Sequence, residues 1–145
     1  MFAVLALLFT IAATTVPQVK GQFFEIACIP IQPTWTALEA AIRGDQSGIP
    51  LCSFTIEGDG CPSEDEYPLG IVVESTDFFN LVCAPDSNGF NFDTECVINC
   101  PGRHFTIRDG GRLGLRDVTL AGATNSSVVV EEGGNLQAIG SVFRE

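Results

Sequence analysis

Between Arg103 and Asp117 the chain reads RHFTIRDGGRLGLRD, which sets four arginines (Arg103, Arg108, Arg112, Arg116) around two aspartates, Asp109 and Asp117. Grouped carboxylates could hold calcium, and a neighbouring basic side chain could take the proton beside a uronate carboxylate. Alternating charge at turns and outward strand positions also keeps a strand-rich surface soluble, and the local pattern puts Arg108, Asp109, Arg112, Arg116 and Asp117 at such positions. His104 is the only histidine, and it is expected as a partly exposed strand residue. No Gly-x-Ser-x-Gly elbow, phosphate loop or metal-spaced histidine pair occurs. The residues therefore assign no catalytic, cofactor-binding or metal-ligating group, and the reading leans towards a non-enzyme.

Six cysteines are present, Cys28, Cys52, Cys61, Cys83, Cys96 and Cys100. No Cys-x-x-Cys occurs and the single histidine makes a zinc site a poor fit, so the six are read as disulfide candidates. Their connectivity is open among 15 pairings. Calcium is the one cofactor the composition suggests, through the acidic loop Glu57 to Glu66, but the ligand order of an EF-hand is missing there and a solvated loop is expected. Asn125-Ser126-Ser127 is an N-glycosylation acceptor, with Asn125 the candidate site.

A polar stretch that closes at Gly21 follows the apolar run Phe2 to Val16. The run is shorter than the ~20 residues of a membrane span, so residues 1–21 are expected to be a cleaved secretory signal, with no transmembrane span after cleavage. Even pairing of cysteines behind such a segment points to a secreted, extracellular or cell-surface chain. The net charge is −11, and loss of Lys20 with the signal leaves arginine alone against 18 acidic side chains. Such a chain repels phosphate backbones, which argues against nucleic acid as a partner.

The elements that would position these groups are short. PTWTALEAAIRG, residues 33–44, predicts a two-turn helix, with Thr36 and Glu39 at capping-box spacing, Trp35 just outside, and Leu38, Ala41 and Ile42 on one apolar face. Strand-like runs follow at 49–56, 69–75, 78–83 and 96–100, separated by Gly, Pro, Asp and Ser. FTIRDGGRLGLRDVTLAG, from Phe105, and VVVEEGGNLQAIGSVFRE, from Val128, then align at a period of 23. This alignment sets Phe105 on Val128, Ile107 on Val130, Leu113 on Leu136, Leu115 on Ala138 and Leu120 on Phe143. A further step back sets Val82, Ala84, Phe90, Phe92 and Val97 on the same columns, with Ser87-Asn88 in place of the glycine pair. Apolar couples at i, i+2 separated by turns make units that cannot bury their own apolar face, so stacking in parallel is expected. The predicted fold class is all-β, a right-handed parallel β-helix (solenoid) with a short N-terminal capping α-helix, expected to be incomplete at the C-terminus. The predicted division is a signal at 1–21, an N-terminal segment with the capping helix at 22–48, and β-helix coils at 49–145, clearest in 105–145.

The two aligned segments and TALEAAIRG resemble right-handed parallel β-helix proteins of the pectin-lyase-like superfamily, in the style of repeats in polymorphic outer-membrane-type and other cell-surface proteins. That resemblance implies lyases, hydrolases, adhesins or inert scaffolds. The hydrolases of such a family use grouped aspartates with Gly-His-Gly and Arg-x-Lys, none of which is found here. The expected function is a secreted or cell-surface module with a structural, adhesive or glycan-binding role, its partner a polysaccharide or cell-surface glycan. The alternative is an N-terminal fragment of a polysaccharide lyase or glycoside hydrolase whose catalytic coils lie beyond residue 145. Because AIGSVFRE runs from the repeat columns into the terminus, self-association through the C-terminal coil is expected, with Val130, Leu136 and Phe143 exposed.

Overall fold

The computed structural model of the chain describes residues 28–44, 50–84 and 95–145. The expected signal at 1–21, the Ser87-Asn88 corner, and Phe90 and Phe92 lie outside the described residues. The element order is α1 (Trp35–Gly44), β1 (Phe54–Glu57), a 3-10 turn (Gly58–Gly60), β2 (Ile71–Val73), β3 (Phe78–Val82), β4 (Cys96–Asn99), β5 (Phe105–Ile107), β6 (Arg112–Arg116), β7 (Val118–Ala121), β8 (Val128–Val130), β9 (Asn135–Ile139) and β10 (Val142–Phe143).

These strands form three short parallel sheets, ordered β1-β4-β7-β10, β2-β5-β8 and β3-β6-β9. This arrangement corrects the fold expectation. The described residues make three separate sheets of four, three and three strands plus one helix, not a closed all-β solenoid. Alternation of apolar residues decides which face a strand buries and which segments can pair in parallel. It does not decide whether turns join the resulting sheets into a closed coil.

The aligned segments pair in parallel, Phe105 with Val128, Ile107 with Val130, Leu113 with Leu136, Leu115 with Ala138 and Leu120 with Phe143. The step further back is corrected. Phe105 pairs with Ile71, Leu113 with Phe79 and Leu120 with Ile98, while Val82 pairs with Arg116 and Val97 with Thr119. A constant period missed this register because the segment between β3 and β4 is longer than the corresponding one between β6 and β7.

Inward positions carry the core. Ile56, Ile98 and Leu120 are buried in one sheet, Ile71, Val73, Phe105 and Ile107 in the second, and Phe79, Leu81, Leu113 and Leu115 in the third. The glycine pairs divide two tasks. Gly110 and Gly133 adopt positive φ, at 89° and 79°, a region that costs glycine nothing. Gly111 and Gly134 instead lie so close to the preceding strand that a Cβ would strike the carbonyl oxygens of Val73 and Ile107.

Helix α1 buries Trp35, Leu38 and Ile42 against the core, with Ala41 partly buried beside them. Its cap is Thr34, not Thr36: Thr34 Oγ1 accepts the Ala37 N–H at 3.3 Å, and the Thr34 carbonyl accepts the Leu38 N–H at 3.0 Å. Trp35 is therefore the first helical residue. Its ring meets Tyr67 edge-on, with centroids 6.0 Å apart. Glu39 and Arg43 pair along the helix at 2.9 Å.

All six cysteines are paired, as Cys28–Cys52, Cys61–Cys100 and Cys83–Cys96. Cys96 opens β4 in an inward column, and Cys83 follows β3, so the third bridge ties two different sheets through the core. No helix among the described residues is long and apolar enough to cross a membrane.

His104 is fully buried, which corrects the expectation of a partly exposed strand residue. It precedes β5 and stands 6.3 Å from the Trp35 ring. Its Nε2 lies 3.1 Å from the Cys100 carbonyl oxygen, which can only accept, so Nε2 carries the proton. Nδ1 is buried with no partner among the described residues. Burial holds the imidazole below its ordinary 6.5, against a smaller opposing effect of the Cys100 carbonyl. A histidine depressed in the fold takes up its proton more readily once unfolded. Its contribution to stability is therefore complete above pH 6.5, declines as pH falls from there, and is gone once pH has passed through the folded value. The unfolding free energy from urea titrations, measured from pH 7.5 downwards, should fall across this window by at most about 1.4 kcal/mol per pH unit. The variant His104→Phe should lose that component; an equal decline in both proteins would reject the assignment.

Candidate functional site on the outer face of the third sheet

The arginines and aspartates of 103–117 do not converge. Arg108 Nε donates to Glu74 Oε2 at 2.8 Å and lies 3.8 Å from Asp109 Oδ2. Its guanidinium is held above its ordinary value first by that hydrogen bond and then by the Glu74 charge. Asp109 and Asp117 occupy left-handed turn positions, with φ of 52° and 56°, which aspartate tolerates better than most residues. Arg103 reaches Thr106 Oγ1 at 3.5 Å, in a groove of about 260 Å³ shared with Glu64, Asp65, Tyr67 and Asn125. The Tyr67 phenol there is pushed above its ordinary 10.0, chiefly by the negative charge of Glu39 and next by burial. Among the described residues no group of three or more His, Cys, Asp or Glu is placed to hold a metal ion, the loop Glu57 to Glu66 included.

Arg112 and Arg116 are different. They are the exposed ends of β6, the central strand of the β3-β6-β9 sheet. Alternation along RLGLR sends Leu113 and Leu115 inward and leaves Arg112, Gly114 and Arg116 on the outer face. Parallel register extends each outward position into a row. Phe78, Arg112 and Asn135 form the first row, Asn80, Gly114 and Gln137 the second, and Val82, Arg116 and Ile139 the third.

The middle row makes the site. Gly114 has no side chain, and a Cβ there would run into Asn80 Oδ1. The gap becomes a shallow groove of about 200 Å³ lined by Asn80, Val82, Gly114, Leu115, Arg116, Gln137 and Ile139. Neither Arg112 nor Arg116 has a salt-bridge partner among the described residues. At about 3.3 Å per residue their backbones stand roughly 13 Å apart along the strand. Phe78, 54% exposed, presents an aromatic ring beside Arg112 at the rim. The face thus offers two guanidinium groups without a salt bridge among the described residues, two planar amides flanking the gap and one ring. These are groups that hydrogen-bond hydroxyls and carboxylates and stack on the C–H face of a sugar.

Sequence reasoning weighed Arg112 and Arg116 as a base beside a uronate, preferred to read them as solubilising charges, and missed Asn80, Asn135, Gln137 and Phe78. The available signal was the shared alternation of FFNLV, RLGLR and NLQAI, which sets Asn80, Gly114 and Gln137 in one row once β3, rather than the segment around Phe90, is placed beside β6. Asn125 lies exposed in the turn between β7 and β8. No family model, curated protein or solved structure matches the chain, so the likeness to pectin-lyase-like proteins rests on the sequence pattern alone.

Proposed function

We propose that the chain is a secreted or cell-surface module with a structural or adhesive role, which binds a uronate-bearing glycan along the outer face of the β3-β6-β9 sheet. The observation that carries this reading is the groove over Gly114, with Asn80 and Gln137 on either side, Arg116 in its wall and Arg112 one row away on the same face, neither arginine in a salt bridge among the described residues. Three disulfides and the apolar leader-like segment support an oxidising, extracellular setting. The roughly 13 Å between the Arg112 and Arg116 backbones along β6 lets a glycan of a few sugar units, laid along that strand, meet both guanidinium groups.

The net charge of −11 opposes an anionic ligand. At physiological ionic strength, however, charges beyond about 8 Å are largely screened, and the arginine pair dominates locally. A charge-assisted hydrogen bond contributes about 1.5–3 kcal/mol, so each arginine should account for roughly tenfold or more in affinity.

Titration of the protein with oligogalacturonate and oligoguluronate, against neutral xylan and cellulose oligomers, tests the reading. Acidic oligomers should bind, more weakly as salt rises. The double variant Arg112→Gln, Arg116→Gln should lose about a hundredfold, while Arg108→Gln, whose guanidinium is committed to Glu74, should bind like the parent. Binding left intact in the double variant, or confined to neutral glycans, overturns the proposal. So does release of reducing or unsaturated ends from polygalacturonate with calcium, because turnover would make the protein an enzyme.

A further inference from the structure

A second groove, of about 330 Å³, lies where the last strands of the three sheets meet, and it includes Ala123, Asn125, Ser127, Val128, Leu136 and Phe143. β8, β9 and β10 each occupy the outer position of their sheet among the described residues. Apolar groups that are buried in earlier strands are open here: Phe143 is 47% exposed and Val130 46%, while their register partners Leu120 and Ile107 are buried. Unpaired strand edges carrying apolar side chains associate with one another unless something covers them.

Asn125, the first residue of the Asn-Ser-Ser acceptor, is part of the wall of this groove. Its loop is tied on both sides. Thr124 donates its N–H to the Pro101 carbonyl at 2.8 Å and its hydroxyl to the same oxygen at 3.1 Å. The Ser127 carbonyl accepts the N–H groups of His104 and Phe105, at 2.9 and 3.0 Å. Asn125 and Ser126 project between these anchors and are both exposed. A substituent on the Asn125 amide therefore starts from a fixed point at the groove.

We infer that Asn125 carries an N-linked glycan whose first sugars lie along the groove against Phe143, Val128 and Leu136, covering these apolar side chains and keeping this chain from self-associating. The donor is a lipid-pyrophosphate-linked oligosaccharide. The Asn125 amide nitrogen bonds to C1 of its first sugar and loses a proton, the C1–O bond to pyrophosphate breaks, and the lipid pyrophosphate leaves. The groove also selects the side on which the sugar rests. Asn125 borders the acidic groove of Glu64, Asp65 and Tyr67 as well, but the Phe143 side sets Val128 and Leu136 beside an aromatic ring, which suits an N-acetyl methyl group and the C–H face of a pyranose.

The test uses the full chain expressed in a eukaryotic secretory host. Mass spectrometry of the secreted protein should find oligosaccharide at Asn125, and amidase release should leave aspartate at that position. The glycosylated protein should sediment as a monomer. Asn125→Gln and Ser127→Ala, which remove the acceptor in two different ways, should unfold at the parent's urea midpoint yet sediment with at least a twofold larger mass at the same concentration. Adding Phe143→Ser to Asn125→Gln should restore the monomer. Unmodified Asn125 in the secreted protein overturns the inference, and so does identical sedimentation of the glycosylated parent and the acceptor variants. None of these outcomes depends on Arg112 or Arg116, so the glycan-binding proposal stands or falls separately.

Discussion

Leu113→Asp should abolish folding. Leu113 is 1% exposed in the middle of β6, and its register partners on the same inward column are Phe79 and Leu136. With strands about 4.8 Å apart, a carboxylate at this position has apolar side chains on both neighbouring strands and no donor to pair with. An unpaired buried charge costs several kcal/mol even after relaxation, and the carboxyl would have to protonate or the strand would have to leave the sheet. A domain of this size is stable by only about 5–15 kcal/mol, so the loss approaches the total. Leu113→Ala should be milder, costing about 2–5 kcal/mol through lost contacts and a cavity. Arg112→Asp, one residue away on the outer face, should change stability by no more than about 0.5 kcal/mol. Far-ultraviolet circular dichroism and urea unfolding of the three variants separate these outcomes. A folded Leu113→Asp protein with a near-parent midpoint would mean that the β6 column is not the core.

Removal of the Cys61–Cys100 bridge should lower the melting temperature by roughly 15 °C, the second-largest effect expected. The bridge joins the end of the 3-10 turn to the residue that follows β4, across a sequence separation of 39. Opening a loop of that length returns about 4 kcal/mol of chain entropy to the unfolded state. At this chain length that corresponds to roughly 4 °C per kcal/mol. Cys83–Cys96, with a separation of 13, should contribute nearer 3 kcal/mol. The paired variant Cys61→Ala, Cys100→Ala isolates the first bridge without leaving a reactive thiol. Its calorimetric midpoint is the measurement, and a fall of under about 3 °C would show that the intact sheets already supply the constraint. Full reduction of all three bridges should leave the chain unfolded at 37 °C. Reduction should begin at Cys28–Cys52, whose Cys52 is only partly buried, and reach Cys83–Cys96 last, where both residues are buried.

Much of the strand content was legible because alternation is a local property. FTI, LGL and VTL each set two buried apolar residues at i, i+2, and two closely similar segments declare their mutual register, Leu113 beside Leu136 and Phe105 beside Val128. The helix was legible for the same reason, through Leu38 and Ile42, although its start was misread by two residues. Thr34 and Thr36 are both capping residues by type, and only the burial of Trp35 against Tyr67 and the core decides between them. The cysteines were legible as disulfides by number, but their pairing depends on which strand ends meet in space.

The candidate site was much less legible. Arg112, Arg116 and Gly114 stand in one short strand, whereas Asn80 and Gln137 come from strands before and after it and join only through parallel register. A register is set by the lengths of the connections as well as by the apolar pattern, and the long segment between β3 and β4 breaks the period that would have revealed it. The same dependence governs His104. As a lone histidine beside Phe105 it reads as a partly exposed strand residue, and it becomes a fully buried group, its imidazole held below the ordinary 6.5 by burial, only where Trp35 and Cys100 close over it. Local alternation determined which side chains of each strand could be buried. Only the packing of strands remote in sequence decided their neighbours, because hydrogen-bonded register, burial and charge are properties of pairs, and the amino-acid order specifies one member of a pair at a time.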